Sequence, residues 1–165
     1  MHTQSIPRGA AKPELYRELV ASVSALLEGE PDAIANLANA AGLLGQFLTG
    51  INWCGFYLVR GGDLVLGPFQ GKPACVRIAL GKGVCGTAAE RRETLVVPDV
   101  LAFPGHIACD ESSRSEIVVP IVAHGTLRGV LDVDAPTTGR FDEEDRKGLE
   151  AFVAALVPRI DWREA

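Results

Sequence analysis

The chain has 165 residues, 47% hydrophobic and 22% charged, which fits one globular domain with a core large enough to fold unaided. Sixteen Lys and Arg against 21 Asp and Glu leave a net charge of −5, which argues against nucleic acid and anionic membrane as partners. No apolar run approaches the roughly 20 residues of a membrane span, and Met1 to Arg8 carry no apolar signal-peptide segment, so the expected location is cytoplasmic.

In chain order, residues 1–12 read as a loose arm, with Pro7 and Gly9 inside it. Pro13 suits the first turn of a helix running to about Leu27, with Leu15, Leu19, Val23, Leu26 and Leu27 at helical spacing. Asp32 caps a second helix that carries Leu37, Ala41, Leu44 and Leu48 on one stripe and stops at Gly50. The period then changes. Residues 51–60 and 63–66 predict two strands joined by Gly61-Gly62, a hairpin signal. Residues 75–80 predict a third strand, 83–92 a short helix after a glycine turn, and 94–97 a fourth strand. Residues 98–115 form a long loop, and loops of that length are often functional. Residues 116–123 and 127–134 predict a last hairpin turning through His124, Gly125 and Thr126, and residues 142–157 a last helix. Helices at both ends of an antiparallel sheet make the class α+β, one domain over 1–165.

Four cysteines, Cys54, Cys75, Cys85 and Cys109, stand without any C-x-x-C pair, so the familiar zinc and thioredoxin spacings are missing. In a reducing compartment, disulfides that form are usually transient and catalytic, which points to redox chemistry on the thiols. Cys109 lies in the long loop and Cys85 at a helix start, where thiol pKa values fall. Cys75 follows a glycine-rich turn, and all three remain nucleophile candidates. Cys54 sits inside an aromatic strand and reads as packing. His106 would serve to activate a thiol. A metal set of Cys75, Cys85, Cys109 and His106 has no recognisable ligand spacing, so no metal and no cofactor is expected. Lys82 in Gly-Lys-Gly lacks the full phosphate-loop pattern.

Asp132 and Asp134 are two apart on a strand and share a face. With a three-residue turn, Glu116 faces Asp134, and three acids converge. Like charges that close cannot all ionise cheaply, so at least one pKa rises and a carboxyl becomes a proton donor near neutral pH. A register slip of one residue would move Glu116 to the other face. Trp53 and Tyr57, four apart, share a face and suit an aromatic wall around a small apolar or methyl-bearing group.

Several segments together resemble the free methionine-(R)-sulfoxide reductases, which are built on a GAF domain. They are Asn52-Trp53-Cys54-Gly55-Phe56-Tyr57-Leu58, the run Leu64 to Cys75, Gly81-Lys82-Gly83-Val84-Cys85-Gly86-Thr87-Ala88, Phe103-Pro104-Gly105-His106-Ile107-Ala108-Cys109-Asp110, Ser115 to Pro120, and Gly129-Val130-Leu131-Asp132-Val133-Asp134. The resemblance implies a GAF fold with about six antiparallel strands between N- and C-terminal helices, and a thioredoxin-dependent oxidoreductase acting on free L-methionine (R)-sulfoxide. It implies that Cys109 attacks the sulfoxide sulfur, that Cys75 resolves the resulting sulfenic acid with Cys85 as auxiliary or alternative, and that Glu116, Asp132 and Asp134 supply protons or hold the substrate. Trp53 and Tyr57 match the aromatic residues around the substrate methyl group, and the backbone of Ile107, Ala108 and Cys109 receives its charged end. Leu101 stands where the family often has His. The alternatives from other classes are a GAF sensor without turnover and a thiol-based peroxide sensor. GAF proteins are often dimeric, and the terminal helices offer a homodimer surface.

Overall fold

Strand alternation decides how the two faces of the sheet are used. In β1, Trp53–Arg60, Cys54, Phe56 and Leu58 belong to one buried cluster and Trp53 and Tyr57 to another, because successive side chains point to opposite faces. The computed structural model describes residues 9–107 and 109–162. The first eight residues of the expected arm lie outside the described residues.

The remaining strands are β2 Asp63–Gln70, β3 Arg77–Ala79, β4 Leu95–Val97, β5 Ser115–Ala123 and β6 Thr126–Ala135. They form one sheet in the order β3-β2-β1-β6-β5-β4, with every neighbouring pair antiparallel. Helices α1 Lys12–Leu26, α2 Ala33–Phe47 and α4 Glu143–Leu156 cover one face. There Leu19, Leu37, Leu44 and Phe152 bury against Phe56, Ile117 and Leu131, each large side chain contributing about 1.5–3 kcal/mol. Helix α3, Gly83–Arg91, covers the other face, where Val84 and Ala88 meet Tyr57, Val118 and Val130. The architecture is the expected α+β arrangement.

The helices begin where their caps say. Pro13 occupies the first turn of α1, and the Asp32 carboxylate accepts from Ala35 N at 2.7 Å at the start of α2. Asp142 and Asp145 form a capping box on α4. The buried Asp145 also accepts from Tyr16 Oη at 2.8 Å and Lys12 Nζ at 2.6 Å, which clasps α1 to α4.

Three differences from expectation bear on the site. β2 runs four residues past Leu66, through Pro68, because a bulge between Gly55 and Tyr57 lets β1 re-pair with Phe69 and Gln70; a proline without an N–H is tolerated at bulges. β3 is shorter than residues 75–80, leaving Cys75 outside the ladder. The last hairpin turns through two residues, His124 and Gly125, rather than three, with φ of 51° and 74° as a type I′ turn requires. A bulge between Ile121 and Val122 supplies the odd residue, so Glu116 pairs with Asp134 as expected, by a different route.

Candidate active site

The register of β6 against its two neighbours gathers the acids. Asp134 pairs with Trp53 on one side and Glu116 on the other, and Asp132 pairs with Gly55 and Val118. Glu116, Asp132 and Asp134 therefore share the α3 face of the sheet. Glu116 and Asp132 are buried. Among the described residues no ion pair reaches any of the three, since every salt bridge lies elsewhere. Burial, followed by mutual repulsion, pushes the pKa of Glu116 and of Asp134 well up. Burial raises Asp132 to about 7, held back by hydrogen bonds with Cys85 and Glu116.

Cys85 stands in the first turn of α3 and closes this cluster from above. Its Sγ lies 3.7 Å from Glu116 Oε1 as a thiol donor. Burial and the carboxylates Asp132 and Glu116 raise its pKa well above the ordinary thiol value, and a protonated, buried thiol is a poor nucleophile. The helix start that promises a lowered pKa is thus overruled by desolvation. Helix α3 packs closely against the end of β3 because Gly86 carries no Cβ: one would meet Ala79 O at 2.3 Å.

Cys75 and Cys109, 34 residues apart, are joined in a disulfide, with Cα atoms 5.4 Å apart. Both flanking segments are tied to the aromatic start of β1. The Trp53 Nε1–H donates to Lys72 O at 3.1 Å and the Tyr57 hydroxyl to Cys75 O at 3.0 Å. Asn52 Nδ2 reaches Asp110 Oδ2 at 3.2 Å and Ser113 Oγ at 3.0 Å, which anchors the loop behind Cys109. Ser112 donates to Asp110 through its backbone N–H and its hydroxyl, and these bonds lower the Asp110 carboxyl to about 2. The rest of the long loop is closed by Val100 N to Arg114 O and Arg114 N to Ala135 O.

Between disulfide and acids lies a cavity of about 30 Å³, lined by Tyr57, Cys85, Cys109 and the three acids, with Lys82, His106 and Ile107 at its edges. Tyr57 reaches it directly. Trp53 stands behind, its ring 6.0 Å from Tyr57 and 5.4 Å from Phe69. Phe69 fits there because a Cβ on Gly55 would lie 2.3 Å from the Phe69 Cβ.

The sequence-predicted residues Glu116, Asp132, Asp134, Cys85, Cys109, Tyr57 and Ile107 thus surround one cavity, and Cys75 joins through its disulfide. Ala108 lies outside the described residues. Cys54 is buried in the opposite core, its Sγ 3.6 Å from Ala41 O, with its pKa pushed up to about 12 by burial. His106 lines the cavity with Nδ1 buried and without a hydrogen-bond partner, and burial lowers its pKa. Asn52 and Asp110, which tie the Cys109 loop, were not singled out from sequence. Their only signal is a polar residue leading an aromatic strand and an acid directly after a cysteine.

The GAF domain profile matches residues 14–158. The chain is 52% identical over 145 residues to the free methionine-R-sulfoxide reductase of Escherichia coli, covering 88% of each. To the protein of that name from Saccharomyces cerevisiae it is 46% identical over 153 residues, 88% of this chain and 85% of the relative. The X-ray structure of free methionine-R-sulfoxide reductase from Neisseria meningitidis in complex with its substrate superposes with a TM-score of 0.92 at 45% identity, over 96% of this chain and 95% of that one. The fold is that of a GAF domain. The chain belongs to the free methionine-R-sulfoxide reductase family of GAF proteins.

Proposed function

We propose that the protein reduces free L-methionine (R)-sulfoxide to L-methionine. The observation that carries this reading is the placement of the Cys75–Cys109 disulfide at a cavity floored by Glu116, Asp132 and Asp134. In the reduced enzyme, the Cys109 thiolate attacks the sulfoxide sulfur. The acid cluster gives the oxygen one proton, and the resulting hydroxyl passes to the Cys109 sulfur. The methionine S–O bond breaks, a Cys109 S–OH bond forms, methionine leaves with its sulfur reduced by two electrons, and Cys109 is left as a sulfenic acid. The Cys75 thiol then displaces water from that sulfur and forms the disulfide. A dithiol of the thioredoxin class restores both thiols by exchange. The aromatic ring of Tyr57, backed by Trp53, offers the apolar wall for the methyl group, and the segment from Ile107 to Cys109 receives the charged end.

A cytoplasmic, reducing setting suits this cycle, because the disulfide must be opened in every turnover and Cys54 and Cys85 are free. Among the described residues no helix is long and apolar enough to cross a membrane. A single domain over 1–165 and a homodimer through α1 and α4 belong to the same proposal, and sedimentation would measure the assembly. The deciding experiment mixes the protein with free methionine (R)-sulfoxide, thioredoxin, thioredoxin reductase and NADPH. NADPH oxidation is expected with the R isomer and not with the S isomer. No oxidation above the S-isomer rate would overturn the reductase reading in favour of a ligand-binding GAF module.

A further inference from the structure

Cys85, Glu116 and Asp132 are grouped closely enough for a task beyond proton donation. One ligand atom from each, the thiol sulfur and one oxygen of each carboxylate, lies within 4.8 Å of the other two. All three residues are buried. Asp132 lines the cavity, and its Oδ1 is fully enclosed without a hydrogen-bond partner. A buried carboxylate oxygen without a donor costs free energy that a bound cation would recover. Among the described residues neither Lys nor Arg pairs with these acids, so a cation entering here would displace only protons.

The donor set selects the ion. Once the metal has displaced their protons to solvent, one thiolate with two carboxylates, three ligands and an open fourth position match a zinc centre of the exchangeable kind, and the thiolate disfavours magnesium and calcium. The size of the space agrees. At about 30 Å³, the cavity takes roughly one metal ion and one water, given the ~10–15 Å³ needed to hold a single water. We infer that Cys85, Glu116 and Asp132 form a binding site for a borderline-soft divalent cation such as Zn²⁺, open at a fourth position toward the cavity. If the reductase reading holds, the ion occupies the ground on which the sulfoxide oxygen is protonated, and zinc is a reversible inhibitor.

The test uses the full chain with the Cys75–Cys109 disulfide intact, so that Cys54 and Cys85 are the only thiols. Zn²⁺ affinity is read by competition with a chromogenic chelator, and Co²⁺ serves as the spectroscopic probe. One equivalent of metal is expected, with a thiolate-to-cobalt charge-transfer band in the near ultraviolet. Cys85→Ser should remove the band and weaken Zn²⁺ at least about tenfold, as loss of a ligand does. Glu116→Gln should weaken binding similarly and keep the band, while Cys54→Ser should change neither. Absence of stoichiometric binding, or a band and affinity unchanged in Cys85→Ser, would overturn the site. Circular dichroism of each variant separates lost ligation from lost folding. None of these readings needs turnover, so the metal site and the reductase reading stand or fall separately.

Discussion

The Tyr57 hydroxyl donates a hydrogen bond to the carbonyl oxygen of Cys75 at 3.0 Å. One side chain therefore does two things: its ring lines the cavity, and its tip holds the segment that carries the disulfide partner of Cys109. In the proposed cycle, the wall offered to the substrate is thereby tied to the thiol assigned to close on Cys109.

Removing only the tip separates these roles. Tyr57→Phe keeps the ring and loses one hydrogen bond worth about 1 kcal/mol. Steady-state turnover with a dithiol should fall roughly fivefold, that energy expressed as a rate. The first methionine per site should appear at the wild-type rate in a quenched-flow experiment. A first turnover slowed as much as the steady state would place the hydroxyl in the chemistry instead.

The two disulfide cysteines should fail in different ways. Cys109→Ser should abolish methionine release outright. Cys75→Ser should release about one methionine per active site and then stall with Cys109 as a sulfenic acid, detectable by a dimedone adduct in intact-mass spectra. Multiple turnovers by Cys109→Ser would reassign the nucleophile.

Glu116→Gln leaves the Cys109 segment untouched but removes the carboxyl proposed as a proton donor at the cavity floor. Sulfoxide reduction should slow about 100-fold or more, the usual scale for general acid catalysis. Alkylation of the reduced enzyme by iodoacetamide should continue at its normal rate. An unchanged reduction rate would take Glu116 out of the proton-donor role.

The acid cluster also makes the fold sensitive to pH in an unusual direction. Burial raises Asp132 to about 7, above its ordinary value near 3.8, so the folded state holds a proton the unfolded state releases. Stability from this group is fully present below about pH 4 and is lost as pH rises through about 7. Asp132→Asn should flatten the decline in melting temperature between pH 4 and 8. An equally steep decline in the variant would place its cause in other groups.

Gly55 is needed for the space its missing side chain leaves. In Gly55→Ala the new methyl group would meet the Phe69 Cβ at 2.3 Å, so Phe69 must move off Trp53. Overpacking of this kind costs about 1–3 kcal/mol, measurable by urea denaturation, with a change in Trp53 fluorescence. Wild-type stability and spectrum would show that β2 slides to make room.

Periodicity and capping residues determined the elements from sequence alone, because hydrophobic spacing and helix ends are local properties. Asp32 and Asp142 stand as caps, and Trp53 and Tyr57 share a face as the period of two dictates. The convergence of Glu116 on Asp134 was legible too, although the expected three-residue turn is a two-residue turn and a bulge that together give the same register. A bulge leaves no mark in composition. Spacing left open which cysteines meet, and the family resemblance pointed to Cys75 and Cys109; the tertiary structure joins them. Cys75 and Cys109 are brought together by hydrogen bonds from Trp53, Tyr57 and Asn52, contacts between residues 18 to 58 positions apart. It also decided the state of Cys85, whose helix start promises a reactive thiol. Packing against two buried carboxylates keeps it protonated, because desolvation and like charge outweigh the helix N-terminus.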